Sequence, residues 1–317
     1  MRIVVFGAGA IGSVLGGMLA KAGHEVTLLG RAWHVDAVRQ SGLTLSGLWG
    51  EMIVRNLDLA TRLEEVQRWD TMDWVFVCVK SYDTASAAQS LGQVLGPTTL
   101  VCAFQNGLGN YEALVQWLDP ARVLLGRVMV GVEVTPGHAR VMVCGDGIVV
   151  GSPDPRSSIT TGEALARLLS ASGVPTRATT RILEEVWMKV IYNCALNALC
   201  TILEVPYGRL LDAEWTRGLM QRVIEEAYSV AKAQGLCLEP PTAEGYAKLL
   251  FERLIPETAS HYSSMFQDIR RGKLTEIASL NGAIVHLAAR CGLTTPTNEL
   301  LTLLIQSKER LAAPSLR

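Results

Sequence analysis

The chain has 317 residues, which is long enough for about two domains with separate cores and excludes a small disulfide-stapled scaffold. Hydrophobic residues make up 49% of it and charged residues 19%, a composition that excludes extensive disorder. The 29 Lys and Arg residues almost balance the 30 Asp and Glu residues, so we expect neither nucleic acid nor an anionic membrane as a partner.

The seven cysteines are odd in number and form no C-x-x-C pair, so we expect neither a disulfide framework nor a metal site. Apolar runs are short, and strand-like residues begin at Met1 without a basic leader, so we expect no membrane span and no signal peptide. These patterns predict a cytoplasmic protein that holds any anionic ligand with local groups.

In the first half of the chain, short apolar runs alternate with helical segments, which is the pattern of a parallel sheet with crossover helices. Four runs predict strands, at residues 2–6, 25–29, 74–79 and 99–104. Glycines predict a hairpin within residues 43–59, and Pro136 with Gly137 predicts another between residues 128–134 and 140–143. The first half is therefore predicted to be a Rossmann-type α/β domain with antiparallel strands along one edge.

Helical periodicity replaces the strand pattern after about residue 160. It predicts helices at residues 182–202, 215–234, 242–254, 275–290 and 297–311. Residues 175–180, which are rich in threonine and follow a helix stop at Gly173, are the predicted linker. The predicted division is an α/β domain of residues 1–178 and an all-α domain of residues 179–317.

A G-x-G-x-x-G motif directly follows the first strand and opens a helix that ends at Gly23. Its six residues are Gly7, Ala8, Gly9, Ala10, Ile11 and Gly12. Gly7 can make the tight turn, Gly9 lets backbone approach a pyrophosphate, and Gly12 permits close packing of helix and sheet. In this context the motif predicts dinucleotide binding, with a purely structural glycine turn as the alternative.

The end of the second strand favours NADP(H) over NAD(H). An acidic residue in this place accepts the ribose hydroxyls of NAD, but this chain has Gly30 and Arg31. A guanidinium suits a 2′-phosphate, and Lys80 at the end of the third strand can reach the same region. The alternatives are a solvated surface charge at Arg31 and a helix-flanking charge at Lys80.

A polar stripe crosses an otherwise apolar predicted helix. Lys189, Asn193 and Asn197 are spaced four residues apart, which puts one ammonium and two carboxamides on one face. Burying these groups without partners would cost several kcal/mol, so they favour a polar cleft that binds an anionic carbonyl compound. Because burial lowers the pKa of an ammonium, a lysine there can protonate the alkoxide that hydride transfer leaves. The alternative is that Lys189 pairs with Glu185, one turn earlier.

Three more polar residues are weaker candidates. Asn106 follows the fourth strand and can contact the nicotinamide or the substrate, or be an ordinary turn residue before Gly107. Ser264 can bind a carboxylate or a hydroxyl. Glu276 can hold a cofactor ribose or position the carbonyl, although Thr275 and Glu276 are equally typical of a helix N-terminus.

Together these residues resemble the ketopantoate reductase family, along essentially the whole chain. The resemblance rests on the glycine motif with Arg31, Val79-Lys80-Ser81, Gln105-Asn106-Gly107, the stripe Lys189, Asn193 and Asn197, Ser263-Ser264-Met265-x-Gln267-Asp268, Thr275-Glu276-Ile277 and Asn281-Gly282. It implies that Lys189 is the proton donor and that Asn193, Asn197 and Ser264 bind the keto acid. It also implies that Asn106 and Glu276 contact the cofactor near the reacting centre, where Asn106 also meets the substrate.

Two positions depart from the family pattern. His261 stands where well-known members have asparagine, and Tyr207 stands where some members have a substrate-binding asparagine. Because the loss of a polar side chain that reads a hydroxyl changes discrimination, both departures leave the exact 2-keto acid open.

The resemblance implies NADPH-dependent reduction of ketopantoate (2-dehydropantoate) to pantoate, a step of pantothenate biosynthesis, with Lys189 as proton donor. The alternatives are an NADP-dependent reductase of another 2-keto acid, a 6-phosphogluconate-dehydrogenase-like or opine-type dehydrogenase, and a non-catalytic NADPH-sensing protein of the same fold. The expected binding partner is a small anionic 2-keto acid. A homodimer is one possible assembly, because the sequence does not determine the oligomeric state.

Overall fold

The computed structural model describes residues 1–312. Within this range the chain forms two compact units. The first consists of Met1–Gln105 and Gly109–Ile182, and the second of Asn106–Leu108 and the residues from Leu183 onwards. The short segment at Asn106 therefore belongs to the helical second unit, although only two residues separate it from a strand of the first.

The first unit is built on one ten-stranded sheet. Its strands are β1 (Arg2–Phe6), β2 (Glu25–Leu29), β3 (Leu43–Gly47), β4 (Met52–Val54), β5 (Asp58–Ala60), β6 (Trp74–Val77), β7 (Leu100–Ala103), β8 (Val123–Thr135), β9 (His138–Gly151) and β10 (Thr176–Ala178). The strand order is β4-β3-β9-β8-β7-β6-β1-β2-β5, and β10 pairs with β9. The strands from β8 to β5 in this order are mutually parallel, as the predicted Rossmann-type fold requires.

Helices connect the parallel strands. They are α1 (Ala10–Lys21), α2 (Ala32–Ser41), α3 (Thr84–Val94), α4 (Asn110–Leu114) and α5 (Ile159–Ala171). The central strand β6 is buried at every position, because a parallel sheet with crossover helices has both faces covered. The predicted strands at residues 74–79 and 99–104 are confirmed, but they are shorter than predicted, since β6 ends at Val77 and β7 covers only Leu100–Ala103.

The hairpin of β8 and β9 is antiparallel and turns at Pro136 and Gly137, as predicted. Strands β3 and β10 both pair with β9, at its two ends. The prediction that residues 175–180 are a linker is wrong, because Thr176–Ala178 forms the strand β10. Three residues are too few for a strand pattern, so only the pairing with β9 creates this strand.

The second unit is helical in its described part. Its helices are α6 (Ile182–Leu203, which begins at the last residue of the first unit), α7 (Glu214–Ala233), α8 (Ala243–Leu249), α9 (Ile255–Glu257), α10 (Ser264–Arg270), α11 (Asn281–Arg290) and α12 (Pro296–Ala312). A π-helical turn, Leu250–Leu254, joins α8 to α9, so the predicted helix at residues 242–254 is not one regular helix.

Helix α6 is the central element of the second unit's core. It is long and apolar enough to cross a membrane by length and composition, but 67% of its apolar window is buried inside the protein. That burial is typical of a core helix, which is apolar on all sides because it is surrounded by other helices.

The predicted helix at residues 275–290 begins later than expected. Its regular part starts at Asn281, and Ile277–Ser279 forms a short 3-10 turn before it. The cause is tertiary, because Glu309 of α12 accepts hydrogen bonds from both the backbone N–H and the hydroxyl of Thr275, at 2.7 and 2.6 Å. This anchor holds the preceding segment, which carries Glu276, outside the helix.

Candidate active site

Three strand ends carry the candidate cofactor residues of the first unit. Strand β1 pairs in parallel with both β2 and β6, so the carboxyl ends of these strands lie side by side. Gly7 follows β1, Arg31 follows β2 after one residue, and Lys80 follows β6 after two residues. Ligands of open parallel sheets bind at this edge, beyond the carboxyl ends of the strands.

The turn between β1 and α1 requires glycine at two positions. Gly7 has φ +116°, and a Cβ there would lie 2.5 Å from the backbone of Cys78 and Val79. A Cβ on Gly12 would lie 2.1 Å from the carbonyl oxygen of Gly7. At Gly9 no atom lies within 4 Å of the Cβ position, so open space borders the backbone. A pyrophosphate that approaches the backbone needs such a space.

The start of α1 supplies hydrogen-bond donors to the same place. Gly9 is the N-cap residue, and no side chain caps the helix. The first N–H groups of an α-helix have no acceptor within the helix, and they stand at the positive end of its dipole. These donors beside an open glycine fit the phosphates of a dinucleotide.

The Arg31 guanidinium beside the turn is accessible. The Arg31 guanidinium is 68% exposed and lies 3.6 Å from the Asp83 carboxylate, which is 46% exposed. An exposed pair of this kind contributes little in water, so it leaves Arg31 able to bind a phosphate. Position 30 has room only for glycine, because a Cβ there would lie 2.5 Å from the Cβ of Ala8. An acidic side chain at position 30 would therefore force Ala8 or the local backbone to shift.

In the second unit, α6 carries the whole polar stripe. Lys189 is half-buried, whereas Asn193 and Asn197 are only 8% and 4% exposed. Within residues 1–312, the carboxamide of Asn193 makes no hydrogen bond to the protein. Burying an amide without a partner costs free energy, so this side chain is suited to a polar ligand.

A hydrogen-bonded chain links Lys189 to Glu276 through Asn106. The Lys189 ammonium donates to Asn106 Oδ1 at 2.6 Å, and Asn106 Nδ2 donates to Glu276 Oε2 at 3.4 Å. The cation thus meets the carboxamide oxygen and the carboxylate meets the carboxamide nitrogen, which fixes the orientation of this amide. Glu276 is 7% exposed, so its end of the chain is shielded from water, whereas Lys189 and Asn106 are half-buried.

Backbone contacts hold Asn106 in this position. The Leu108 N–H donates to the carbonyl oxygen of Ser279 at 2.8 Å. Gly107 has φ +87°, and a Cβ there would lie 2.6 Å from that same oxygen. The glycine after Asn106 therefore lets this segment pack directly against the turn that follows Glu276.

Asn106 and Glu276 line a small polar pocket in the second unit. The other residues of this polar pocket are Asn197, Ser264, Met265, Asp268 and Leu280. Ser263 is the N-cap residue of α10, because its hydroxyl oxygen accepts a hydrogen bond from the Phe266 N–H. The same hydroxyl donates to the carbonyl oxygen of Asn197 at 3.4 Å, so it joins the start of α10 to α6. Ser264, the first residue of α10, is consequently held beside α6.

Sequence reasoning identified most lining residues of the polar pocket but missed the role of one neighbour. Tyr207 is 3% exposed, and its hydroxyl donates to Asn197 Oδ1 at 2.7 Å. The two residues are ten positions apart, and the end of α6 and a turn lie between them, so no helical spacing predicts this contact. The Pro206-Tyr207-Gly208 turn was the only available signal.

The parallel sheet has a glycine turn, and the helical unit has a carboxamide-lined pocket with Lys189 bonded to one of its residues. These features define the class of dinucleotide-binding α/β proteins with an added helical domain. The family model of ketopantoate reductase PanE/ApbA matches residues 3–155, and that of its C-terminal part matches residues 181–309. The chain belongs to the ketopantoate reductase PanE/ApbA family.

Two relatives named 2-dehydropantoate 2-reductase match nearly the full length of the chain. The protein from Aquifex aeolicus is 39% identical, with 98% of this chain and 97% of that protein covered. The protein from Pyrococcus abyssi is 31% identical, with 98% and 99% covered.

Solved structures of two differently named enzymes are similar to the chain over nearly its full length. The chain is similar to the crystal structure of a PanE/ApbA family ketopantoate reductase from Ralstonia eutropha, with a TM-score of 0.87, 36% identity, and 98% and 99% of the two chains covered. It is also similar to D-mandelate dehydrogenase in a ternary structure with NADH and anilino(oxo)acetate, with a TM-score of 0.86, 27% identity and the same coverage.

Proposed function

We propose that this protein is an NADPH-dependent reductase that converts ketopantoate to pantoate, a step of pantothenate biosynthesis. The observation that carries the proposal is the 2.6 Å hydrogen bond from the Lys189 ammonium to Asn106, a residue of the polar pocket. It couples a proton donor to a set of amides and a hydroxyl, which suit the carboxylate and carbonyl oxygens of a keto acid. The relatives named 2-dehydropantoate 2-reductase support the choice of substrate.

The first unit fits NADP(H). Its Gly7 to Gly12 turn offers backbone donors and, at Gly9, open space for the pyrophosphate. Arg31 and Lys80 are assigned to the 2′-phosphate, because both follow strands that flank the turn. When bound, NADPH supplies the hydride that reduces the C2 carbonyl.

In the second unit, each polar side chain has one task. Asn193 and Asn197 bind the keto acid from α6, and Ser264 binds it from the start of α10. Asn106 stands between substrate and cofactor, and Glu276 holds the Asn106 amide by accepting from Nδ2. The substrate oxygens supply the hydrogen-bond partners that the Asn193 carboxamide and Asn197 Nδ2 lack within residues 1–312.

Lys189 supplies the proton. Hydride addition converts the C2 carbonyl into an alkoxide, and the ammonium donates a proton to that oxygen, which leaves a neutral amine and a hydroxy acid. Before substrate binds, Asn106 Oδ1 accepts from the ammonium and holds it beside a residue that lines the polar pocket. Solvent returns the proton after release of the product.

A second candidate is the reduction of another 2-keto acid. The similarity to D-mandelate dehydrogenase in complex with anilino(oxo)acetate favours it, because that complex contains a bulkier 2-keto acid derivative. Tyr207 and His261, whose rings are 5.3 Å apart, depart from the family pattern in the same unit. In this case the roles of Lys189 and Asn106 are unchanged and only the recognised side group differs.

The test follows NADPH oxidation by the purified protein with ketopantoate, phenylglyoxylate and small aliphatic 2-keto acids, together with the variant Lys189→Ala. We expect the highest kcat/KM for ketopantoate and a kcat about 100-fold to 10,000-fold lower in the variant, the usual contribution of a general acid. The matched control is Lys232→Ala, since Lys232 lies exposed on α7 of the same unit.

Each outcome has a defined meaning. If no keto acid is turned over, the proposed reductase function is wrong. A clearly higher kcat/KM for another keto acid would support the second candidate function. A Lys189→Ala protein with unchanged kcat across the pH range would show that another group donates the proton. Equal losses in both lysine variants would indicate a general charge effect.

The proposal also assigns the roles of the two domains. Residues 1–178 bind NADP(H), and residues 179–317 bind the keto acid and supply Lys189, with Asn106 contributed from earlier in the chain. The cytoplasmic location and the homodimer remain predictions from the sequence.

A further inference from the structure

The carboxamide of Asn197, a residue of the polar pocket, is hydrogen-bonded to the protein at only one of its two ends within residues 1–312. Asn197 is 4% exposed, and its Oδ1 accepts a hydrogen bond of 2.7 Å from the Tyr207 hydroxyl. Within residues 1–312, its Nδ2 makes no hydrogen bond to the protein, and the residue lines the polar pocket. One end of this amide is therefore satisfied by the protein, and the other end is left for a ligand.

Tyr207 is itself held firmly. Its backbone N–H donates to the carbonyl oxygen of His261 at 3.0 Å, and the next N–H, of Gly208, donates to Ala259 at 2.9 Å. Its ring packs edge-on against Tyr192 and His261, with centroids 6.0 and 5.3 Å away. The phenol hydroxyl consequently has a fixed position beside Asn197.

The direction of the hydrogen bond follows from the chemistry of the two groups. Burial raises the pKa of Tyr207 well above its usual value, so the phenol keeps its proton and remains a donor. A carboxamide carries its acceptor and its donors on opposite sides, so the Asn197 oxygen faces Tyr207 and its NH2 group faces away. An NH2 group is the end that an anionic substrate requires.

We propose that Tyr207 is a positioning residue, which orients the Asn197 carboxamide so that its NH2 group binds an oxygen of the keto acid. This inference rests on the proposed function, because it assigns a task within the same pocket. Without the phenol, the Asn197 oxygen loses its donor and the amide is free to turn over. Its oxygen would then face the substrate anion and weaken binding.

The experiment compares Tyr207→Phe, Asn197→Ala and the double variant in steady-state reduction of ketopantoate by NADPH. We expect Tyr207→Phe to raise the KM of the keto acid roughly 10-fold to 100-fold, the value of a hydrogen bond to a charged group, and to leave the KM of NADPH unchanged. In the Asn197→Ala background, removal of the phenol should have no further effect on kcat/KM, because Tyr207 acts through Asn197.

The matched control is Tyr192→Phe. Tyr192 belongs to the same aromatic cluster and is half-buried, but its hydroxyl pairs with Thr258 at 3.0 Å and not with Asn197. We expect an unchanged KM for the keto acid in this variant. A similar rise of KM in both tyrosine variants would show that the effect comes from general packing and would overturn the proposal.

A further variant tests the orientation directly and does not depend on the folding of Tyr207→Phe. In Asn197→Asp, the phenol still donates to one oxygen, and the second oxygen replaces the NH2 group in front of the substrate. The KM of the keto acid should rise more than in Asn197→Ala, because two anions then oppose each other. A KM equal to or below that of Asn197→Ala would overturn the proposal.

The two levels of inference fail in different ways. If the wild-type protein reduces no keto acid, the proposed function itself is wrong. If the wild-type protein is active and Tyr207→Phe retains its KM, or lowers kcat/KM equally with and without Asn197, only the role of Tyr207 is wrong. Thermal unfolding of each variant separates a loss of fold from a loss of substrate binding.

Discussion

The two glycines of the dinucleotide turn should respond to alanine in opposite ways. A Cβ on Gly12 would lie 2.1 Å from the Gly7 carbonyl oxygen, whereas a Cβ on Gly9 would meet no atom within 4 Å. Gly12→Ala is therefore a test of packing within the protein. Gly9→Ala is a test of what binds against the turn.

The expected magnitudes follow from these distances. Because the obstacle at Gly12 is backbone, the chain must shift, at a cost of about 3 kcal/mol, the upper part of the range for overpacking. For a domain of this size that is a fall in Tm of about 6–12 °C. At Gly9 the change in stability should stay within about 1 kcal/mol, since the N-cap and chain-entropy effects of alanine largely cancel. The added methyl group should nevertheless raise the Kd for NADPH at least tenfold, or by about 1.4 kcal/mol.

The assay has two parts. Thermal unfolding without cofactor gives the Tm, and a titration with NADPH, monitored by the fluorescence of the nicotinamide, gives the Kd. Gly218→Ala is the control, because Gly218 lies inside α7 and a Cβ there meets no atom within 4 Å. It should leave the Kd unchanged and raise stability by about 0.5–1 kcal/mol, as alanine does in a helix.

Two results would refute the reasoning. A wild-type Kd in Gly9→Ala would mean that no pyrophosphate approaches the backbone at this turn. A wild-type Tm in Gly12→Ala would mean that the contact with Gly7 does not constrain the fold.

Two further predictions concern the first unit. Arg31→Ala should lower the preference for NADPH over NADH in kcat/KM by roughly 10-fold to 100-fold, because a charge-assisted contact to the 2′-phosphate is lost, and an unchanged preference would contradict the assignment. The other prediction concerns His34, which is 1% exposed. Its Nε2 lies 2.9 Å from the Ser13 hydroxyl, and its Nδ1 lies 3.2 Å from the backbone nitrogen of Gly137. Burial lowers the pKa of this imidazole below 6.5. As the pH falls, the unfolded chain therefore binds a proton at His34 before the folded protein does. The contribution of His34 to the free energy of unfolding is complete above about pH 6.5 and is lost as the pH falls through the pKa of the folded protein. Each unit of difference between the unfolded and folded pKa corresponds to about 1.4 kcal/mol. Denaturant unfolding at pH 7.5 and 5.5 should show that the wild-type protein loses more stability than His34→Gln, and equal losses would refute this account.

The corrections to the sequence-based predictions share one cause. The residues of β10 contain too short a pattern to indicate a strand, and they become one only because β9 offers a free edge at its carboxyl half. Thr275 and Glu276 are typical of a helix start, yet the contact between Thr275 and Glu309 delays the helix to Asn281. In both places a partner that is distant in the chain prevails over the local preference.

Local chemistry determined the dinucleotide turn and the polar stripe. The glycines of the turn are dictated by steric limits within a few residues, and Lys189, Asn193 and Asn197 share a face because every α-helix repeats at 3.6 residues. Only the tertiary structure decided that Asn106 joins Lys189 to Glu276, across 83 and 170 residues, and that Tyr207 holds Asn197. Such contacts depend on how separate elements pack, and no periodicity along the chain encodes them.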